Sequence, residues 1–159
     1  IGSHEGDLER STKKGYVKKE VSRENEQGET VKDYEYYKTE YREYRKRNTA
    51  TLEIRYQLIS TDDGEIIVTD QFRIRETDAV HYVEFKGDDK RLVPGYWVDR
   101  NRASSRDVVR DKKGDVRELQ QLLDAEKTPR TGSELKSALY EQAVMRIVER
   151  IDDYNPENL

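Results

Sequence analysis

The chain has 159 residues, of which 40% are charged and 33% belong to the hydrophobic class, and its formal net charge is −4. Because acids and bases nearly balance, the composition differs from that of a strongly charged disordered tail. The absence of cysteine excludes disulfides, thiolate zinc sites and cysteine nucleophiles. The sequence contains no run of 18 apolar residues, the length that would indicate a membrane span.

Residues 1–14 are polar and show no periodicity. The first four, Ile1-Gly2-Ser3-His4, are typical of an expression-vector remnant, and the rest predict a polar leader. We therefore expect a single α+β domain over residues 15–159. Its first element is a short strand at 15–22, followed by a turn cluster at 24–29.

Residues 30–45 are rich in tyrosine and are ambiguous. Tyr34, Tyr37, Tyr41 and Tyr44 have the spacing of a helical stripe. Tyrosine and threonine nevertheless favour strands, and a turn precedes them. We predict a long strand that ends in a tight turn at Lys46-Arg47-Asn48 and pairs with the strand at 49–59.

The clearest element is a hairpin over Thr49–Ile74, in which apolar and polar residues alternate on both sides of a turn. A two-residue loop would place the two apolar runs on opposite faces of the sheet. A three-residue loop, residues 62–64, pairs Leu58 with Val68 and Ile54 with Phe72 on one face. We predict this second register, with Gly64 left-handed and Tyr56 facing Asp70.

A further strand is predicted at 78–86, then an apolar loop at 92–97 that inserts Trp97 into the core. The segment 100–113 is basic. A short helix begins at Gly114-Asp115, with Asp115 and Glu118 as a capping box. A longer helix, capped by Ser133, covers Glu134–Tyr154. Its predicted buried face comprises Tyr140, Ala143, Val144, Ile147, Val148, Ile151 and Tyr154.

These elements predict an antiparallel meander of about five strands with the C-terminal amphipathic helix packed on one face. The only histidine outside the remnant is His81, which disfavours a Ser-His-Asp triad, histidine zinc sites and histidine general acid–base catalysis. No phosphate-binding glycine loop or dinucleotide motif occurs. We therefore expect no enzymatic activity, no cofactor and no metal.

The candidate interaction surface combines aromatic and basic residues of the tyrosine stretch, the 92–97 loop and the basic segment. It comprises Tyr34, Tyr36, Tyr41, Arg42, Tyr44, Tyr96, Trp97, Arg102, Arg106 and Arg110. Three interpretations are open: a solvated sheet face, a protein-contact face, and a face that binds nucleic acid or another polyanion. The acidic balance of the chain disfavours nucleic acid.

Two segments and the C-terminal helix carry a resemblance to a known group. ATLEIRYQLISTDDGEII and VEFKGDDKRLVP, followed by ELKSALYEQAVMRIVERI, resemble in order parts of bacterial envelope lipoproteins of the curli-secretion lipoprotein and TolB-N-terminal-like kind. The resemblance covers residues 34–154 and transfers no functional residue. It implies a non-catalytic interaction or assembly module in the periplasm or at the outer membrane.

The resemblance also implies partners. Other envelope proteins are the expected partners, and the membrane is reached only through a lipid anchor outside this chain. The alternative function is a polyanion- or nucleic-acid-binding domain that uses a face rich in tyrosine and arginine. The oligomeric state does not follow from the sequence.

Overall fold

The computed structural model describes residues 2–154, with side chains from residue 6 onwards. Its elements, in chain order, are β1 (Gly2–Glu24), β2 (Thr30–Ile59), β3 (Ile66–Glu84), a 3-10 turn (Asp89–Arg91), β4 (Leu92–Tyr96), β5 (Val108–Val109), α1 (Lys113–Leu123) and α2 (Gly132–Asp152). The strands form one sheet in the order β3-β2-β1-β4-β5. The predicted α+β class with an antiparallel sheet is confirmed.

Between residues 2 and 84 the structure has three long strands, β1, β2 and β3, where the sequence predicts more and shorter ones. The tight turn predicted at residues 46–48 is wrong, because β2 passes through them without interruption. This segment contains neither glycine nor proline, the residues that most often end a strand. The predicted strands at 66–74 and 78–86 are likewise one strand, β3. The prediction of strand rather than helix for the tyrosine stretch is confirmed.

β1 also includes the residues predicted as a polar leader. Backbone pairing needs no apolar side chain, so a strand that lies beside β2 in the sheet does not require apolar periodicity. Gly6, near its start, donates its backbone N–H to Asn48 Oδ1 at 3.0 Å. Ile1, the first residue of the suspected remnant, lies outside the described residues.

The chain divides into two compact units. Unit 1 consists of Ile1–Asp7, Lys46–Ala79 and Thr128–Leu159, of which residues 1 and 155–159 lie outside the described part. Unit 2 consists of Leu8–Arg45 and Val80–Lys127. β1, β2 and β3 each contribute residues to both units, and each unit has its own apolar cluster.

The hairpin of unit 1 keeps the predicted facing of its side chains. The Tyr56 hydroxyl donates to Asp70 Oδ2 at 3.1 Å, and Thr49 and Thr77 hydroxyls lie 3.2 Å apart. Gly64 has a φ of +76°, the predicted left-handed conformation. The loop is one residue longer than predicted, since Ser60 N–H bonds to the Glu65 carbonyl and Gly64 N–H to the Ser60 carbonyl.

α2 begins differently from the prediction. Thr131, not Ser133, is the N-cap residue: its hydroxyl accepts from Glu134 N–H at 3.2 Å. The Glu134 carboxylate accepts in return from Thr131 N–H at 2.7 Å. Together they form a capping box. Ser133 lies inside the helix, where its side chain cannot cap it.

α2 also buries a different face from the one predicted. Leu135, Leu139 and Ala143 are buried against Ala50, Leu52 and Phe72 of the hairpin. Only Ala143 and Ile147 of the predicted face pack on this cluster. Five large apolar residues of α2 are exposed, namely Tyr140, Val144, Met145, Val148 and Ile151. The sequence contains two apolar stripes on this helix, and the stripe that starts nearer the cap is the buried one.

Unit 2 has a core of Val83, Leu92, Leu119 and Leu123. The predicted loop at 92–97 is in fact the strand β4, which pairs with β1 on one side and β5 on the other. α1 begins at Lys113 without a side-chain cap, so the predicted capping box at Asp115 is wrong. Asp115 already lies in the first helical turn, where a carboxylate favours the helix dipole.

Candidate interaction site

A groove of about 610 Å³ lies within unit 2 and is here called the unit 2 groove. Strands β1, β2 and β3, the 3-10 turn, the loop after β4 and the end of α1 contribute to it. Its lining comprises Thr12, Thr39, Glu40, Tyr41, Arg42, Tyr44, Val83, Glu84, Phe85, Lys86, Asp89, Arg100, Leu123 and Lys127.

Two tyrosines of β2 give the groove fixed aromatic surface. The Tyr44 ring stacks on Tyr82, with centroids 5.0 Å apart and planes inclined by 12°. Tyr41 packs against the core that contains Val83 and Leu92. Burial raises the pKa of Tyr41, and the negative charge of Glu43 adds to this effect. Tyr41 therefore offers a neutral, rigid ring at neutral pH, suited to apolar and hydrogen-bonding contacts.

The charges around the groove are mixed. Four basic side chains line it, and three acidic ones accompany them: the bases are Arg42, Lys86, Arg100 and Lys127, and the acids are Glu40, Glu84 and Asp89. Lys127 Nζ lies 3.5 Å from Glu84 Oε1, so one basic and one acidic side chain of the groove form an ion pair. Mixed charge of this kind suits a partner surface that is itself mixed, as most protein segments are.

The loop of residues 98–107 contributes Arg100, and we call it the arginine loop. The side chain of Lys38, on β2, fixes this loop. Its Nζ donates to the carbonyls of Asp99 and Arg102 and to Asp107 Oδ2, each at 2.7 Å. Asp107 also accepts the backbone N–H groups of Val98 and Ser104, each at 3.0 Å. The Lys38 ammonium and these amides hold the pKa of Asp107 below its usual range. The loop backbone is therefore fixed from within.

Tyr34 and Tyr36 lie around a different pair of charges. Tyr36 donates its hydroxyl to Asp111 Oδ2, and Lys18 Nζ lies 2.9 Å from the same oxygen. Lys18 Nζ also sits 4.2 Å from the centroid of the Tyr34 ring. Burial raises the pKa of Tyr36, and its bond to Asp111 raises it further. This cluster joins β1 and β2 to the segment before α1 and is occupied by its own contacts.

Trp97 is 5% exposed, which confirms the prediction that it inserts into the core. Its indole N–H donates to the carbonyls of Gly15 and Thr39, both at 3.2 Å. The prediction that Trp97 belongs to the interaction surface is therefore wrong, because a partner has no access to a residue buried in this way. Lys14 Nζ lies 4.4 Å from the centroid of its ring.

Tyr96 remains 45% exposed, and it lines with Arg110 a second, smaller concavity of about 460 Å³. The structure thus separates the predicted surface into several places rather than one. Tyr41, Arg42 and Tyr44 meet in the unit 2 groove, and Tyr34 with Tyr36 form the cluster around Lys18. Arg102 and Arg106 are exposed on the arginine loop.

Three of the four basic groove residues were absent from the predicted surface: Lys86, Arg100 and Lys127. They come from segments far apart in sequence, and single charged residues between predicted elements carry no periodic signal. Only for Arg100 did a hint exist, because it opens the predicted basic segment 100–113.

His81 pairs with a carboxylate of β2. Its Nε2 lies 2.6 Å from Glu43 Oε1, and Lys13 Nζ lies 3.4 Å from the other oxygen of Glu43. Burial raises the pKa of Glu43, but the bond to His81 and the charge of Lys13 outweigh it, so the pKa lies below its usual range. Among residues 2–154, no group of three or more histidine, aspartate or glutamate side chains is arranged to hold a metal ion.

Comparison of the chain with protein-family models, curated proteins and solved structures gives no match. Neither helix in the described part of the chain is long and apolar enough to cross a membrane.

Proposed function

We propose that this protein is a non-catalytic interaction module that binds an extended segment of a partner protein in the unit 2 groove. The observation that carries the proposal is the groove itself. It joins two held tyrosine rings, Tyr41 and Tyr44, to a rim of charges of both signs. Aromatic anchors surrounded by polar groups are the usual composition of a protein-binding surface.

The lining of the groove favours a chain segment over a small substrate. A concavity of about 610 Å³ lies within the range of ligand sites, but its lining is dominated by charged and polar side chains. Glu84 of the groove is paired with Lys127. The remaining charges of both signs along the rim can pair with complementary charges of a bound segment.

Placement in the bacterial cell envelope is part of this proposal and comes from the resemblance of the sequence to envelope lipoproteins. The measurement that tests it is the coding sequence upstream of this chain. A signal peptide that ends at a lipid-attachment cysteine would support the envelope, and a cytoplasmic start without a signal would overturn it.

The binding proposal is tested by panning a displayed library of random twelve-residue peptides on the immobilised protein. One recovered peptide is then titrated into isotope-labelled protein while backbone amide shifts are recorded. We expect the shifted amides to cluster on Thr39, Arg42 and Lys86, whereas amides of Thr51 and Arg73 in unit 1 stay in place.

A matched pair of β1 variants locates the binding site. Thr12→Trp places a large side chain in the groove lining, and Ser22→Trp adds the same side chain to an exposed position outside it. We expect the first to abolish binding of the recovered peptide and the second to preserve it. Failure to recover any peptide, or equal binding by both variants, would overturn the proposal.

A further inference from the structure

We infer that the arginine loop selects partner segments that carry acidic side chains where they meet Arg100. The inference rests on the proposed function and names the chemistry of its partner. The loop contributes three arginines, Arg100, Arg102 and Arg106, within seven positions of the chain. All three are exposed, and Arg100 lines the unit 2 groove.

The acidic side chains of the loop are directed to its own backbone. Asp99 Oδ1 accepts from the N–H groups of Asn101 and Arg102, at 2.7 and 3.1 Å. Asp107 accepts two backbone N–H groups and the Lys38 ammonium, as described above. Both carboxylates of the loop are therefore used to fix its conformation, and the arginines keep no carboxylate of the loop as a partner.

The three guanidinium groups are consequently uncommitted. Among the described side chains, those of residues 6–154, none forms an ion pair or a hydrogen bond with the guanidinium group of Arg100, Arg102 or Arg106, since the bonds of Arg102 and Arg106 use backbone groups. Lys38 also lowers the entropic cost of binding a ligand at this loop, because a backbone that is already fixed loses less conformational entropy when a ligand binds. The three arginine side chains on this fixed loop are therefore available to bind an anion.

Arginine is suited to a carboxylate because its planar fork donates two parallel hydrogen bonds. A nucleic acid would meet the same arginines, but its phosphates follow one another along the whole strand. Glu40 and Asp89 in the groove would then face phosphates. A protein segment avoids this by placing acids only where it meets Arg100, and the net charge of −4 adds to the repulsion of a polyanion.

The experiment uses the full chain and three fluorescein-labelled probes. They are the consensus peptide recovered by panning, the same peptide with amides in place of its acidic side chains, and single-stranded oligothymidylate of twelve nucleotides. The variant R100Q/R102Q/R106Q is compared with R47Q/R75Q/R117Q, a control that removes the same charge from exposed arginines outside the groove.

We expect acidic residues to be enriched in the recovered peptides. The loop variant should bind the consensus peptide about tenfold more weakly, as the loss of several exposed charge pairs predicts, and the control should bind as the native chain does. The amide version of the peptide should be insensitive to the loop variant.

Peptides that occupy the groove without acidic enrichment, with equal affinity for both triple variants, would overturn the inference and leave the proposed function standing. Tighter binding of oligothymidylate than of the peptide, lost in the loop variant, would also overturn it and assign the loop to nucleic acid. If no peptide binds the groove, the proposed function itself fails.

Discussion

Lys38 Nζ lies 2.7 Å from Asp107 Oδ2, and the side chains of both residues are largely buried, at 15% and 16% exposure. This pair joins strand β2 to the arginine loop, and the same ammonium also binds two loop carbonyls. An isolated surface ion pair contributes little, but one with several additional hydrogen bonds fixes geometry. The loop therefore owes its conformation to a residue more than 60 positions away, in the tyrosine strand.

Replacement of Lys38 by methionine should release the loop while the rest of unit 2 stays folded. Three acceptors of the ammonium lose their donor, and Asp107 loses the positive charge beside it. We expect amide hydrogen exchange at Val98 and Ser104 to accelerate by about tenfold or more, since opening of a local structure sets that rate.

The control for this prediction is Lys90→Met, which removes an exposed lysine from the 3-10 turn. Its exchange at Val98 and Ser104 should equal that of the native chain. Unchanged exchange in Lys38→Met would show that the two backbone bonds to Asp107 suffice to hold the loop.

Asp111 predicts an acid-sensitive contribution to stability. Burial raises its pKa, but the hydrogen bonds from Tyr36 and Lys18 outweigh burial and lower the pKa below the ordinary value of 3.8. A carboxyl with a lowered pKa stabilises the fold above pH 3.8, and this contribution is lost as the pH falls through the folded-state pKa. The stability difference between the native chain and Asp111→Asn should therefore be present at pH 7 and shrink below pH 3.8.

Urea unfolding at several pH values measures this difference. Asp62→Asn, in the exposed turn between β2 and β3, is the control and should leave stability nearly unchanged at each pH. A difference for Asp111→Asn that stays constant from pH 7 to pH 3 would contradict the assigned role of its charge.

The two apolar stripes of α2 give a direct test of which one is buried. Leu139 is fully buried in the unit 1 core, and Val144 is 61% exposed. Leu139→Ala should lower the free energy of unfolding by about 2–5 kcal/mol, the usual effect of a cavity in a core. Val144→Ala should change it by less than about 0.5 kcal/mol, as expected at the surface. Chemical denaturation of the two variants decides between them, and the reverse order would restore the face predicted from the sequence.

The fold class could be predicted because it follows from local patterns. The alternation of Leu52, Ile54 and Tyr56 predicts a strand with one buried face, and Tyr56 and Asp70 face each other as expected. The length of the strands could not be predicted in the same way. Residues 46–48 and the polar start of β1 are held by backbone pairing with neighbouring strands, which leaves no periodic trace in the sequence.

The site was predicted only in part, for a related reason. Tyr41, Arg42 and Tyr44 were found because aromatic and basic residues are concentrated in one stretch. Trp97 was included although its position between β4 and the arginine loop buries it. Lys38 was overlooked because one lysine among many carries no signal, and only the fold brings it to Asp99 and Asp107.

The start of α2 gives the last test. Thr131 caps the helix and Ser133 does not, although either residue type serves as a cap in general. Thr131→Ala removes the acceptor for Glu134 N–H and should lower the free energy of unfolding by about 1 kcal/mol. Ser133→Ala should be neutral or slightly stabilising, because alanine has the better helix propensity. Thermal unfolding of both variants measures this, and equal losses would show that the helix has no preferred cap.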